Sequence, residues 1–257
     1  MQLKQLVQSL FNALGFDIRR SRNGIPPATP VELSESERRF VSYIVNNSLS
    51  MSTWEGLWAT AMACTYVINS KIDGDFVECG VWRGGNAILA AMIFTSHNCD
   101  KKIYLFDTFE GMTAPSQRDR DSLGGKLALA EYLRNSRSDH NAWCYASVSE
   151  VEFNFRKAGL LNENIVFVKG DVEHTLCDCS QLPEKIALLR LDTDWYASTK
   201  KELEILYPRV CAGGVLIIDD YGHWAGAKEA VDEYFSADIG RPLLQYVDYT
   251  RRMGIKR

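Results

Sequence analysis

Short apolar runs alternate with amphipathic segments over most of this chain. The runs are DFVECG (75–80), KIYLFD (102–107), NIVFVKGD (164–171), IALLRLD (186–192) and GVLIIDD (214–220), and PLLQYVDY (242–249) is a further strand candidate. Helical spacing of apolar residues fits the intervening segments 85–95, 126–135, 147–158, 198–206 and 225–235. Strand–helix alternation of this kind predicts an α/β fold with a doubly wound, mostly parallel sheet. Upstream the pattern is helical. Leu3, Leu6, Val7, Leu10, Phe11 and Leu14 share one side of a helix over 1–20, a proline-rich loop covers 21–36, and two further helices fit 37–46 and 54–70. Residues 1–72 therefore read as an N-terminal helical cap or lid and 73–257 as the sheet domain.

Composition narrows the function classes. The chain has 257 residues, 46% of them hydrophobic and 24% charged, the usage of an ordinary globular protein able to bury a core without staples. A net charge of -4 offers no basic face for nucleic acid. The N-terminus lacks the pattern of a secretory leader, and no run reaches the roughly 18 apolar residues of a membrane span, so the expected setting is cytoplasmic, away from membranes. Seven cysteines with no framework spacing read as reduced thiols.

Nearly every predicted strand ends in an acid. Ligands of open α/β sheets bind beyond the carboxyl ends of the strands, so Glu78, Asp107, Asp171, Asp192, Asp219 and Asp220 converge on one rim. Such a rim suits a metal, or a ligand rich in hydroxyl and ammonium groups.

The first strand runs into Glu78-Cys79-Gly80-Val81-Trp82-Arg83-Gly84-Gly85-Asn86, where glycines let the backbone approach a ligand closely. This is not a dinucleotide G-x-G-x-x-G turn. Glu78 would repel a pyrophosphate and suits a cation, such as the amino group of a methionine moiety. A carboxylate at Asp107 can accept from both hydroxyls of a ribose. The candidate cofactor-binding set is Glu78, Gly80, Arg83, Gly84, Asn86, Asp107, Thr108, Phe109 and Asp171.

Asp192 on one strand end and Asp219 and Asp220 on another would meet if those strands are neighbours, about 5 Å apart. Three carboxylates at one point raise each other's pKa, and a divalent cation relieves that conflict. All-oxygen donors favour Mg²⁺, Mn²⁺ or Ca²⁺ over Zn²⁺. Asp194, two residues past Asp192, is the candidate general base; a further metal ligand or a structural acid are the other readings. His223, just after IIDDYG, is a second candidate catalytic residue, or else a plain loop histidine.

The segments FVECGVWRGGNA, YLFDTFEGM, LLRLDTDWYASTKKELEILYPRVCAGGVLIIDDYG and AKEAVDEY together resemble the macrocin-type sugar O-methyltransferases over about 75–235. The resemblance implies a Rossmann-like methyltransferase fold, S-adenosylmethionine as methyl donor and Mg²⁺. It matches Asp192, Asp219 and Asp220 to metal ligands, Asp194 to the base, and Glu78, Gly80 and Asp107 to cofactor contacts. The implied acceptor is a small molecule or glycan bearing a sugar diol, and homo-oligomerisation is left open. SMSTWEGL sits where relatives carry a segment closing over the cofactor.

Weaker signals point elsewhere. His174, Cys177 and Cys179 lack the remaining ligand of a zinc site. Trp195 and Tyr196 are either a sugar-stacking wall or core, and the polar stretch 112–125 is either a lid or a solvated loop. Two other function classes are a nicotinamide-dependent sugar oxidoreductase, disfavoured by the missing dinucleotide turn, and a non-catalytic cofactor-binding relative, disfavoured by the cost of an intact acid cluster.

Overall fold

The computed structural model describes residues 29–236 and 240–257. The helix expected over 1–20 lies outside the described residues. In chain order the elements are α1 (Glu35–Asn46), α2 (Trp54–Asn69), β1 (Asp75–Cys79), α3 (Gly85–Ser96), β2 (Ile103–Asp107), α4 (Leu129–Asn135), α5 (Val148–Lys157), β3 (Ile165–Lys169), α6 (Val172–Thr175), β4 (Ile186–Leu191), α7 (Tyr196–Leu206), β5 (Val210–Ile218), α8 (Ala225–Ser236), β6 (Gln245–Tyr246) and β7 (Arg252–Ile255).

One seven-stranded sheet runs β3-β2-β1-β4-β5-β7-β6. β1 to β5 are parallel, and β7 returns antiparallel against β5. Side chains alternate across the sheet, as the two-residue strand period requires. Phe76, Val215 and Ile217 face a layer built from α1, α2, α3 and α5. Val77, Leu216 and Ile218 face α6, α7 and α8. Helix α2 packs on one face of the sheet against β4 and β5, and α1 packs on α2 and α3, with Val41, Ile44, Leu57 and Ala61 in the shared core. Ser34 and Thr53 cap them by accepting from Glu37 and Gly56 backbone N–H groups.

The strand expected at 242–249 is only the pair Gln245–Tyr246, and the longer C-terminal strand is β7. Its sequence, RMGI, mixes polar and apolar positions near the sheet edge and so lacks the continuous apolar signature of the buried parallel strands. This strand has a direct consequence for the site: Arg252 pairs with Ile218, bringing Arg251 beside Asp219.

Candidate active site

The strand order reverses between β1 and β4, and there the ladder continues past the strand ends. Gly80 N–H donates to the Phe106 carbonyl at 2.9 Å, Asp192 N–H to Cys79 at 2.8 Å, and Asp219 N–H to Leu191 at 2.9 Å. A cavity of about 690 Å³ opens above these ends. At Gly80 φ is +81°, and an added Cβ would lie 1.9 Å from the Asp192 carbonyl oxygen. Glycine is therefore required for β1 and β4 to deliver their acids side by side.

Glu78, Gly80, Asn86, Asp107, Thr108, Asp171, Asp192, Asp194, Asp219, Asp220 and His223 all line this cavity. Three of the expected cofactor residues do not. Arg83 turns outward to Glu150 at 2.9 Å, Gly84 starts α3 against Val151, and Phe109 is buried beside Phe167. Asp107 faces inward, yet its oxygens already accept from the backbone N–H groups of Val81, Trp82 and Phe109 at 2.6, 3.1 and 2.7 Å. It pins the glycine turn to the end of β2. Asn86 receives the Thr60 hydroxyl at 2.9 Å and donates to Ser52 at 3.1 Å, tying α3 to residues 50–53, which border the cavity.

Two arginines unmarked by the sequence reading organise the acids. Arg190, 1% exposed, donates to Glu78 at 2.8 Å, Asp192 at 2.7 Å and Asp219 at 2.5 Å. An arginine within the otherwise apolar IALLRL was the available signal. Arg251 meets both Asp219 oxygens and also contacts Asp248, Thr53 and Ser52. Gly56 leaves room for it, since a Cβ there would sit 2.8 Å from the guanidinium carbon.

Burial pushes the Glu78 carboxyl up to about 8, against the pull of Arg190. Its Oε2 is buried without a protein partner. Burial also raises Asp219, Asp194 and Asp220, with the neighbouring carboxylates adding to the effect. Asp192, Asp219 and Asp220 each offer one oxygen within 4.8 Å of the others. Asp220 contacts no guanidinium among the described residues; the Asp194 backbone N–H reaches it at 3.3 Å. A buried acid without a counter-charge, in an all-oxygen cluster, fits a hard divalent cation. Glu78 Oε2 likewise fits a cofactor ammonium.

Asp194 sits at φ +68° beside Asp220 and receives the Trp224 indole N–H at 2.8 Å. His223 lies at the cavity wall with its ring 3.4 Å from the Tyr249 hydroxyl. Trp195 and Tyr196 do not line the cavity: Trp195 is buried against Trp143 and Trp224, and Tyr196 bonds Glu233. Residues 112–125 are anchored at Asp119 and Asp121, while much of the stretch, 122–125 included, is exposed. Asp119, 1% exposed, accepts from Tyr196 N–H and Ser116, and Asp121 bridges to Trp224. His174, Cys177 and Cys179 form no metal-holding cluster among the described residues.

The chain matches the TylF macrocin-O-methyltransferase family over residues 28–252. It belongs to that family. It is 38% identical over 169 residues to a demethyldecarbamoylnovobiocin O-methyltransferase of Streptomyces niveus, covering 65% of this chain and 60% of the relative. A mycinamicin III 3''-O-methyltransferase of Micromonospora griseorubida is 34% identical over 168 residues, 65% of this chain and 62% of the relative. The matched part thus spans about 60% of the length of these curated relatives. The solved structure of the O-methyltransferase NovP superposes with a TM-score of 0.70 at 32% identity, covering 81% of this chain and 82% of that one. The sheet is accordingly a Rossmann-like class I methyltransferase fold.

Proposed function

We propose that this protein is an S-adenosylmethionine-dependent O-methyltransferase that uses a divalent cation, Mg²⁺ by donor chemistry, to methylate a sugar hydroxyl of a glycoside. One observation carries the reading: Asp192, Asp219 and Asp220 converge on the wall of the cavity that also receives the unpartnered oxygen of Glu78. The names of the curated relatives, which place the methyl on novobiocin and mycinamicin precursors, support the acceptor class. The family and the absence of a dinucleotide turn speak against an oxidoreductase.

The donor would bring an electrophilic methyl group, and Asp192, Asp219 and Asp220 would hold a divalent cation, whose chemistry when bound is to lower the pKa of a nearby hydroxyl. Glu78, held by Arg190, binds the ammonium of the donor and fixes its depth in the cavity. Asp107 and Gly80 shape the turn over which the donor lies. Asp194 would accept the hydroxyl proton as the oxygen bonds to the methyl carbon and the donor's sulfur–methyl bond breaks, releasing S-adenosylhomocysteine. His223 borders the acceptor side, where Met112, Thr113, Cys144 and Tyr249 complete the wall. Seven unpaired thiols support a reducing compartment such as the cytoplasm.

The test is a methyl-transfer screen with labelled S-adenosylmethionine over demethyldecarbamoylnovobiocin, mycinamicin III and simple alkyl deoxyglycosides, with Mg²⁺ or with EDTA. Mg²⁺-dependent labelling of a glycoside is the expected result. Failure of S-adenosylhomocysteine to bind in calorimetry, or turnover unchanged in excess EDTA, would overturn the reading.

A further inference from the structure

Asp194 occupies a left-handed backbone conformation, uncommon for a residue with a Cβ. Something must hold it. Its backbone N–H reaches Asp220 Oδ2 at 3.3 Å, and its Oδ1 accepts the Trp224 indole N–H at 2.8 Å. Trp224 is in turn fixed at both ends. Its own backbone N–H donates to the Asp220 carbonyl at 3.0 Å, so it folds back over the residue whose side chain joins the acid cluster. Its ring packs edge-to-face on Trp195 at 5.0 Å and Trp143 at 6.2 Å, and these two contact each other at 5.6 Å. Trp195 is anchored by its own indole N–H on the Thr113 carbonyl at 3.0 Å. None of the three rings lines the cavity, so none is placed to contact the acceptor.

We propose that Trp224 is a positioning residue for the base, its indole N–H holding Asp194 Oδ1 so that the carboxylate stays fixed at the cavity wall beside Asp220. This rests on the assignment of Asp194 as base. The chemistry favours an indole for the task. It donates but does not accept, it carries no charge, and it cannot itself exchange the proton that Asp194 removes. The three-ring cluster gives the donor a fixed origin, because edge-to-face packing restricts both rotation and tilt of each ring. The same cluster ties Asp194 to Thr113 on the acceptor wall, so base and acceptor surface share one rigid support.

Two measurements test this. In the first, the Trp224 indole N–H resonance, one of six in the chain, is assigned in the intact protein and in D194A, which removes the acceptor oxygen, with no methyl acceptor needed. A shift confined to Trp224 and its ring neighbours is expected; an unmoved Trp224 signal overturns the proposal. In the second, W224F, D194N and the double variant are compared with labelled S-adenosylmethionine and the glycoside of the screen that turns over fastest. W224F keeps the ring and loses the donor. A fall in kcat of about 10-fold is expected, with KM for the donor unchanged, and less than about 2-fold further loss when added to D194N. W224H, which restores an N–H, should recover part of the loss. Equal losses in both backgrounds, or wild-type kcat in W224F, overturn the proposal. Wild-type turnover in D194N instead sinks the base assignment, and the proposal with it, whatever the resonance shows. Should W224F fail to bind S-adenosylhomocysteine, the resonance comparison decides alone.

Discussion

Arg251 holds Asp219 with a two-point grip, Nε to Oδ1 at 2.5 Å and Nη2 to Oδ2 at 2.9 Å. The same guanidinium reaches Asp248 at 2.6 Å and the hydroxyls of Thr53 and Ser52 at 3.3 and 3.2 Å. It joins the C-terminal hairpin, the segment before α2 and the acid cluster. Arg251→Leu leaves Asp219 buried beside other acids with one counter-ion removed. Destabilisation of about 3 kcal/mol is expected by urea unfolding, with Arg251→Lys losing less. An unchanged unfolding midpoint would show that the grip contributes nothing to the fold.

Gly80→Ala forces a side chain into the Asp192 carbonyl. The turn after β1 must move, and the cofactor floor with it. Binding of S-adenosylhomocysteine should fall at least about 100-fold while the circular-dichroism spectrum keeps its α/β shape. Retained affinity would mean that β1 and β4 separate more easily than their shared ladder implies.

Asp220→Asn removes an acid of the cluster that contacts no guanidinium among the described residues. Its effect should divide cleanly between metal and cofactor. Mg²⁺-dependent turnover drops by on the order of 100-fold or more, whereas affinity for S-adenosylhomocysteine changes only a few-fold. EDTA should inhibit the parent protein and leave the residual rate of the variant untouched.

Glu202 lies in α7 with no exposed surface, receives the Thr193 hydroxyl at 2.8 Å, and has its second oxygen unpartnered. Burial pushes its carboxyl from the usual 4.5 up to about 8. The folded form therefore keeps a proton that the unfolded chain releases near pH 4.5, so this group's contribution to stability is fully present below that pH. It is lost as pH rises toward about 8, at up to about 1.4 kcal/mol per pH unit. Glu202→Gln should flatten the stability profile across that window and raise stability at pH 8, read from urea unfolding at several pH values. Parallel profiles for the two proteins would contradict the assignment.

The five parallel strands were legible because strands buried on both faces appear as continuous apolar runs, and IALLRLD and GVLIIDD are such runs. Their pairing then brought Asp192, Asp219 and Asp220 together as their strand-end positions implied. What escaped was contributed by residues far apart in sequence. Thr53 and Asp248 meet across 195 positions, and nothing local in RRMGI marks a strand or the arginine that precedes it. Asp107 was read as a ribose ligand from its place at a strand end. That its oxygens also hold the neighbouring turn depends on backbone geometry, which side-chain type does not encode. Trp195 was ambiguous for the same reason: aromatics beside a strand end look alike whether they face a cavity or each other.

Arg190 has a consequence for the order in which the site fills. It touches Glu78, proposed for the cofactor, and Asp192 and Asp219, proposed for the metal, so one buried charge would be shared between the two proposed sites. Glu78, Asp192, Asp194, Asp219, Asp220 and Asp248 all line the cavity and outnumber Arg190 and Arg251, an excess of acid that a divalent cation and an ammonium would each reduce. Each ligand would then lower the electrostatic cost of admitting the other. Linkage makes this reciprocal: the metal should tighten cofactor binding by the same factor by which the cofactor tightens the metal.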